Sequence, residues 1–233
     1  MPIITLANTS PDFIIQNELK IRLGGFSKIV CSDLEGNFTL GEFSCVNRCT
    51  FGRYSGMGSS SYIADAVVGR YCTFGSRLSV GAFDHPTNWL SIHEFQYRDL
   101  SGIYGESILE GGINTLQDGS RQTYFGSDVW IGDNASIKRG ISVGHGAIIG
   151  LGSVVTHDIE PFSIVVGNPG RVLRKRFSDK VIESLLELRW WDLDMQALRG
   201  VNCCDIESAI SDLRQKRDEM ATSRARPSTS TFI

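Results

Sequence analysis

The sequence has no apolar run approaching the roughly 20 residues that cross a bilayer, so no membrane-spanning helix is expected. Its opening residues, MPIITLANTSPDF, lack a basic stretch followed by a long apolar core, so no secretion signal is visible and a cytoplasmic location is expected. An excess of positive charge is missing too: the net charge is −3, which gives a general nucleic-acid role no electrostatic support. The six cysteines (Cys31, Cys45, Cys49, Cys72, Cys203 and Cys204) lack zinc-ligand spacing and are expected as reduced, packed thiols, with no metal site. Histidine is scarce. Only His85, His93, His145 and His157 can carry acid–base chemistry that needs an imidazole near neutral pH.

What the sequence does have is a six-residue period. Phe125, Ile131, Ile137, Val143, Ile149 and Val155 are large and apolar, and four positions after each of the first five stands Val129, Ala135, Ile141, Ala147 or Ser153. Glycine follows the large residue at Gly126, Gly132, Gly144 and Gly150. Neither alternation by two nor a helical stripe accounts for so many registers in a row. A fixed short period points to a solenoid, a parallel β-helix whose hexapeptides each form one flat side. Three sides close a coil of about 18 residues, with the glycines at corners where a Cβ is costly. A glycine-spaced sandwich is the plainer alternative. At 233 residues, 41% of them hydrophobic and 25 of them glycine, the chain suits one turn-rich domain with an appended element rather than a disordered segment.

The earlier coils are less regular. Leu34, Leu40 and Val46 share one register, Phe51, Met57 and Ile63 a second, and Val68, Phe74 and Val80 a third. Each change loses one residue, as a tightened corner would. Cys72 falls at a small inward position counted from Val68. Residues 1–33, with Ile21, Leu23, Phe26 and Ile29, read as an irregular or strand-like cap on the first coil, since an open solenoid end exposes its core. The β-helix then spans 34–176, interrupted by an excursion over 82–124 that holds Phe83, Trp89, Phe95, Tyr97, Tyr104 and Tyr124. A long insertion rooted on a rigid scaffold is a natural place for chemistry. A helical segment over 177–220 follows. Ser178 caps a helix bearing Val181, Ile182, Leu185, Leu186 and Arg189, Trp190–Trp191 ends it, and a second helix opens near Asp205 with Ile206, Ala209, Ile210, Leu213 and Met220 on one face. The tail, 221–233, is polar, and disorder is expected there.

The stretch FGSDVWIGDNASIKRGISVGHGAIIGLGSVVTHDIEPFSIVVGNPGRVLRKRF resembles the hexapeptide-repeat acyltransferases. DVWIG, SVVT, GNP and the RWWD that follows are most similar to the xenobiotic branch, which includes the streptogramin and type B chloramphenicol acetyltransferases. The resemblance covers roughly residues 34–195. It implies a left-handed parallel β-helix, an exception to the usual right-handed crossover. It also implies acetyl-CoA as donor, no metal, and a homotrimer with active sites between adjacent subunits.

By residue chemistry alone His85 and His93 are comparable as the base that removes an acceptor proton. The resemblance implies His85, because the family's base stands just after the coils break, followed by a Ser or Thr and an aromatic, here Ser91 and Phe95. The chain departs at Ile92, where relatives often complete a Ser–Thr pair. Asp84, Glu94 or a backbone carbonyl is open as the group orienting the imidazole. Trp130 counts as outward between Val129 and Ile131, where a related tryptophan lies beside the thioester arm of coenzyme A. Carried over in the same way, Asp133, Leu151, Thr156, His157 and Arg174 line the coenzyme groove, and Asn168 and Pro169 shape a turn near the adenine end. Relatives commonly place lysine at His157, so Arg171 and Arg174 are expected to take more of the phosphate charge.

The expected function is therefore acetyl transfer from acetyl-CoA to a sugar hydroxyl, as in cell-surface polysaccharide biosynthesis, by direct attack. Alternatives are N-acetylation of a nucleotide-linked amino sugar and O-acetylation of a streptogramin or chloramphenicol. A zinc hydratase sharing the solenoid would need three convergent histidines. A non-catalytic scaffold would be indifferent to loss of His85.

Overall fold

The computed structural model describes residues 3–82, 84–109 and 121–225. Phe83, residues 110–120 of the excursion and the tail from 226 lie outside them. The described residues fall into two compact units that divide at Arg174 and Lys175.

The first unit is a three-sided parallel β-helix. Its first face stacks Leu23, Leu40, Met57, Phe74, Ile131, Ile149 and Val165 in register. The second stacks Ile29, Val46, Ile63, Val80, Ile137 and Val155. The third stacks Leu34, Phe51, Val68, Phe125 and Val143, with a parallel bridge on to Ile159. All these residues are buried and form one continuous core. The six-residue period thus corresponds to successive sides of a coil, and the small positions Val129, Ala135, Ile141, Ala147 and Ser153 are buried beside it. Strand Lys28–Leu34 is long enough to pair on two faces, which joins the second and third into one sheet of 11 strands while the first remains a sheet of 9.

Each one-residue loss in the early coils falls between the second and third faces. The left-handed corner residues run Phe43, Arg48, Tyr54, Ser60, Asp65, Tyr71 and Arg77, with the short steps ending at Arg48 and Asp65. Early coils repeat every 17 residues and later ones every 18. The glycines after the large residues require a correction to their expected role. They do not carry the left-handed backbone; Asp128, Asn134, Gly140, Gly146 and Gly152 do. A Cβ on Gly126 would sit 2.5 Å from the His145 nitrogen, and one on Gly132 would sit 2.6 Å from that of Leu151. Their constraint is the close approach of the next coil rather than their own torsion.

The solenoid starts earlier than Leu34. Strand Ile21–Leu23 already pairs parallel with Phe38–Leu40, so a boundary at residue 33 would cut strand Lys28–Leu34. The cap is formed by Ile3–Ala7 and Ile14–Gln16, which pair antiparallel with the first coil. Buried Cys49 and Cys72 pack inside, and burial pushes both thiols up to about 12. Each is also tied into the interior: the Cys49 and Cys72 amides donate to Ser32 and Ser55 hydroxyls on the preceding coil.

The second unit holds α2 (Asp179–Leu188) and α3 (Ile206–Ala225); α1 (Ser101–Tyr104) belongs to the excursion. Ser178 occupies the N-cap position of α2, but its side chain makes no capping bond. The buried stripe is Val181, Ile182, Leu185 and Leu188, so Leu188 completes it rather than Leu186 or Arg189. Trp191 is fully buried in the turn that follows. Asp205 caps α3 through the Ser208 amide at 2.7 Å, and Ala209, Ile210 and Leu213 are buried on one face. The helix runs on to Ala225, past residue 220, while the side chain of Met220 lies outside what is described. No helix among the described residues is long and apolar enough to cross a membrane.

Where the excursion leaves the solenoid, an ionic clamp spans the gap. Asp65 accepts from Arg48 Nε at 2.7 Å and Nη2 at 2.6 Å, and Arg139 Nη2 lies 3.2 Å away on the far side of the departing level. The Arg139 side chain is wholly buried. Removing the carboxylate breaks an ion pair of that buried guanidinium, so Asp65→Ala should cost about 3 kcal/mol, read as a lowered urea midpoint at fixed protein concentration. At pH 8 a thiol-specific reagent should modify exposed Cys31, Cys203 and Cys204 in native protein, whereas Cys49 and Cys72, buried and held as thiols, should react only after unfolding.

Candidate active site

The excursion departs after strand Ser79–Val80 and returns at Thr123, whose amide donates to the Asp65 carbonyl at 2.9 Å. Two of its side chains, Tyr97 and Leu100, are almost fully buried. A single 3-10 turn, Glu94–Gln96, and the short α1 shape its course. Gln96 bonds Ser91 in both directions, its amide nitrogen to the Ser91 carbonyl and its oxygen to the Ser91 amide. Ser91 Oγ accepts from the His93 amide at 3.0 Å. Ser91 is thereby held in a turn.

The four histidines differ in what their Nδ1 atoms meet, and the difference assigns chemistry. His85 Nδ1 lies 2.8 Å from the carbonyl oxygen of Ile92. A carbonyl can only accept, so Nδ1 must carry the proton and Nε2 keeps its lone pair. His93 is the opposite case: its Nδ1 accepts from the Phe95 amide, which places the proton on Nε2 and leaves no exposed lone pair. His145 follows His93, accepting from the Ser127 amide at 2.8 Å. His157 Nδ1 lies 2.9 Å from the Thr156 hydroxyl, which can donate or accept and so leaves its tautomer open.

The Ile92 carbonyl, not Asp84 or Glu94, is therefore the group on the far side of the His85 ring. Glu94 is engaged with Arg98 at 2.8 Å instead. Sequence reading missed a further neighbour: Tyr97 Oη lies 2.9 Å from the same Nδ1. The Tyr97 ring is packed edge-on against Trp89, with centroids 6.2 Å apart. Burial, then the nearby Glu94 carboxylate, holds its phenol above the usual tyrosine range, so it is a neutral hydroxyl across the physiological range. The aromatic richness of the excursion was the available signal, but nothing in it singled out Tyr97.

Trp130 stands outward on the first face with 52% of its surface exposed, in register with Ile148 and, one coil on, Ile164. Leu151 is 79% exposed at the next corner. Asp133, in the coil before Leu151 at that corner, already has partners: its carboxylate accepts from the Ser76 amide at 2.9 Å and from Arg77 Nη2 at 2.8 Å. Thr156 and His157 follow strand Val154–Val155 on the second face, in the register that two coils earlier leads into the excursion and His85. Asn168 and Pro169 form an exposed cis-peptide turn after strand Ser163–Val166. Arg171 and Arg174 are exposed on the last strand, Arg171–Lys175. The structure thus brings Leu151, Thr156 and His157 onto the two corners bounding one face, and sets Trp130, Asn168, Pro169 and the arginines on or after the first face.

Among the described residues, no group of three His, Cys, Asp or Glu side chains could hold a metal ion.

No protein-family model matches the chain. The chloramphenicol acetyltransferase of Escherichia coli is 37% identical over 153 residues, which cover 64% of this chain and 70% of that protein. A probable macrolide acetyltransferase of Lysinibacillus sphaericus is 51% identical over 128 residues, covering 54% of this chain and 68% of that protein. Among solved structures, a point mutant of AntD, an N-acyltransferase from Bacillus cereus, in complex with dTDP and Coenzyme A, has a similar fold, with a TM-score of 0.56 and 18% identity over 78% of this chain and 97% of that one.

Proposed function

This chain belongs to the xenobiotic, chloramphenicol acetyltransferase-like branch of the hexapeptide-repeat acetyltransferases, and from that premise we propose that it transfers acetyl from acetyl-CoA to a hydroxyl with His85 as general base. The observation that carries the proposal is the bond geometry at Nδ1. Among the Nδ1 contacts of the four histidines, that of His85 is to a carbonyl, which can only accept, and this leaves its Nε2 ready to take a proton.

In this reading Nε2 removes the acceptor's hydroxyl proton as its oxygen attacks the thioester carbonyl. Backbone amides or donors of the excursion meet the resulting oxyanion. The imidazolium then returns its proton to the departing coenzyme A sulfur, and the chain forms no covalent intermediate. Exposed Trp130 and Leu151 offer apolar surface to the thioester arm, and the exposed arginines Arg171 and Arg174 suit phosphates, which guanidinium binds bidentately. Thr156 and His157 complete the groove, and Asn168 and Pro169 its adenine end. Asp133 acts through the corner it stabilises, since Ser76 and Arg77 occupy its carboxylate. A cytoplasmic homotrimer, with each groove shared by neighbouring subunits, belongs to the same proposal.

Two hydroxyl classes remain in it, with the amino group of a nucleotide-linked sugar as the alternative acceptor. A sugar hydroxyl, as in polysaccharide biosynthesis, is the expectation from the sequence. An antibiotic hydroxyl is favoured by the names of the chloramphenicol and macrolide acetyltransferases to which the chain is similar.

The test is release of free coenzyme A from acetyl-CoA against sugars, nucleotide-linked amino sugars, chloramphenicol, a streptogramin and a macrolide. His85→Ala should lower turnover by about a hundredfold or more, while His93→Ala should stay within about tenfold of the parent. Absence of acetyl-CoA binding to the parent protein would sink the proposal, and equal losses in the two variants would remove His85 from its role.

A further inference from the structure

Two oxygens converge on one side of the His85 ring, and only one is needed to set its tautomer. The Ile92 carbonyl, 2.8 Å from Nδ1, does that alone. The second oxygen, Tyr97 Oη at 2.9 Å, can serve either tautomer because a hydroxyl both donates and accepts. Its contribution must therefore arise elsewhere, in the state where the ring carries a charge.

We propose that Tyr97 is a positioning residue for His85, whose hydroxyl oxygen shares the Nδ1–H with the Ile92 carbonyl and stabilises the imidazolium formed when Nε2 takes a proton. This deepens the general-base reading of His85 and rests on it.

The geometry supports the role in three ways. The His85 side chain is solvent-exposed, so its ring needs a rigid partner to hold its angle, whereas Tyr97 is almost fully buried. The two rings meet edge-on at 6.4 Å and 61°, and Trp89 fixes the tyrosine from another side at 6.2 Å. Finally, the neutral phenol presents a lone pair rather than a charge. A carboxylate there would pin the proton more strongly, while a neutral oxygen steadies the cation and still allows it to surrender its proton to the leaving sulfur. Among the described titratable groups close in sequence, Glu94 is taken by Arg98 and Asp84 makes no bond to the ring, so neither substitutes for the phenol.

The test reads the His85 nitrogen directly and needs no acceptor. Diethyl pyrocarbonate acylates unprotonated imidazole nitrogen, and mass spectrometry of the His85 peptide follows its rate between about pH 5.5 and pH 8.5. In Tyr97→Phe the midpoint of this profile should move to lower pH by about half a unit, because the charged ring has lost one acceptor. The profile of exposed His157 should be unchanged and serves as the internal reference. If Tyr97→Phe fails to fold, fluorotyrosine at position 97 keeps the shape, weakens the oxygen as an acceptor and must move the midpoint in the same direction. A midpoint that stays put or rises would overturn the proposal, since a purely structural tyrosine would alter stability but not the profile. The outcome is separable from the turnover measurement. Loss of the base reading would show as an active His85→Ala, whereas loss of this inference would show as an unmoved midpoint in a protein whose turnover still depends on His85.

Discussion

Everything in the first unit depends on one spacing: each coil lies a single backbone hydrogen bond above the last. The Gly126 amide reaches the Val143 carbonyl at 2.8 Å, and the Gly132 amide reaches that of Ile149 at 2.7 Å. At that distance an added Cβ at either glycine would meet the backbone of the next coil. The same closeness explains the buried hydroxyls. Ser44 and Ser61 each bond carbonyls of their own and the next coil, and each oxygen also receives an amide from that next coil. Polar atoms are tolerated in the interior because the stacking supplies their partners.

The parts of the fold legible in sequence were those written in side-chain size. The large apolar residues from Leu34 to Val155 occupy the faces that their registers indicate, including across the one-residue slips. What was not legible was carried by torsion or by distance. Corner residues at positive φ in the early coils are as varied as Phe43, Arg48, Tyr54 and Asp65, so no residue type announces them. The first coil was hidden because Ile21 and Leu23 lie beside antiparallel capping strands, before the repeat settles.

At the site the divide is similar. Only the family resemblance separated His85 from His93, whereas outward counting identified Trp130 as exposed. A backbone carbonyl was one of the options behind His85, but which one was not legible, because a carbonyl carries no residue identity and Ile92 would be an odd choice for any side-chain role. The contrast with His93 was equally hidden. Eight positions apart in one excursion, the two rings receive opposite tautomers from opposite backbone groups, an N–H in one case and a C=O in the other.

The excursion leaves and re-enters the solenoid at a single corner, with Thr123 bonded to Asp65 on the level beneath and Asp65 clamped by arginines from either side. The coils above and below are therefore registered to each other by contacts of the coils themselves. The scaffold's register and the excursion's course are thus set by different contacts. On the reading proposed above, that separation would place acceptor choice in one loop and leave the coils to hold the donor.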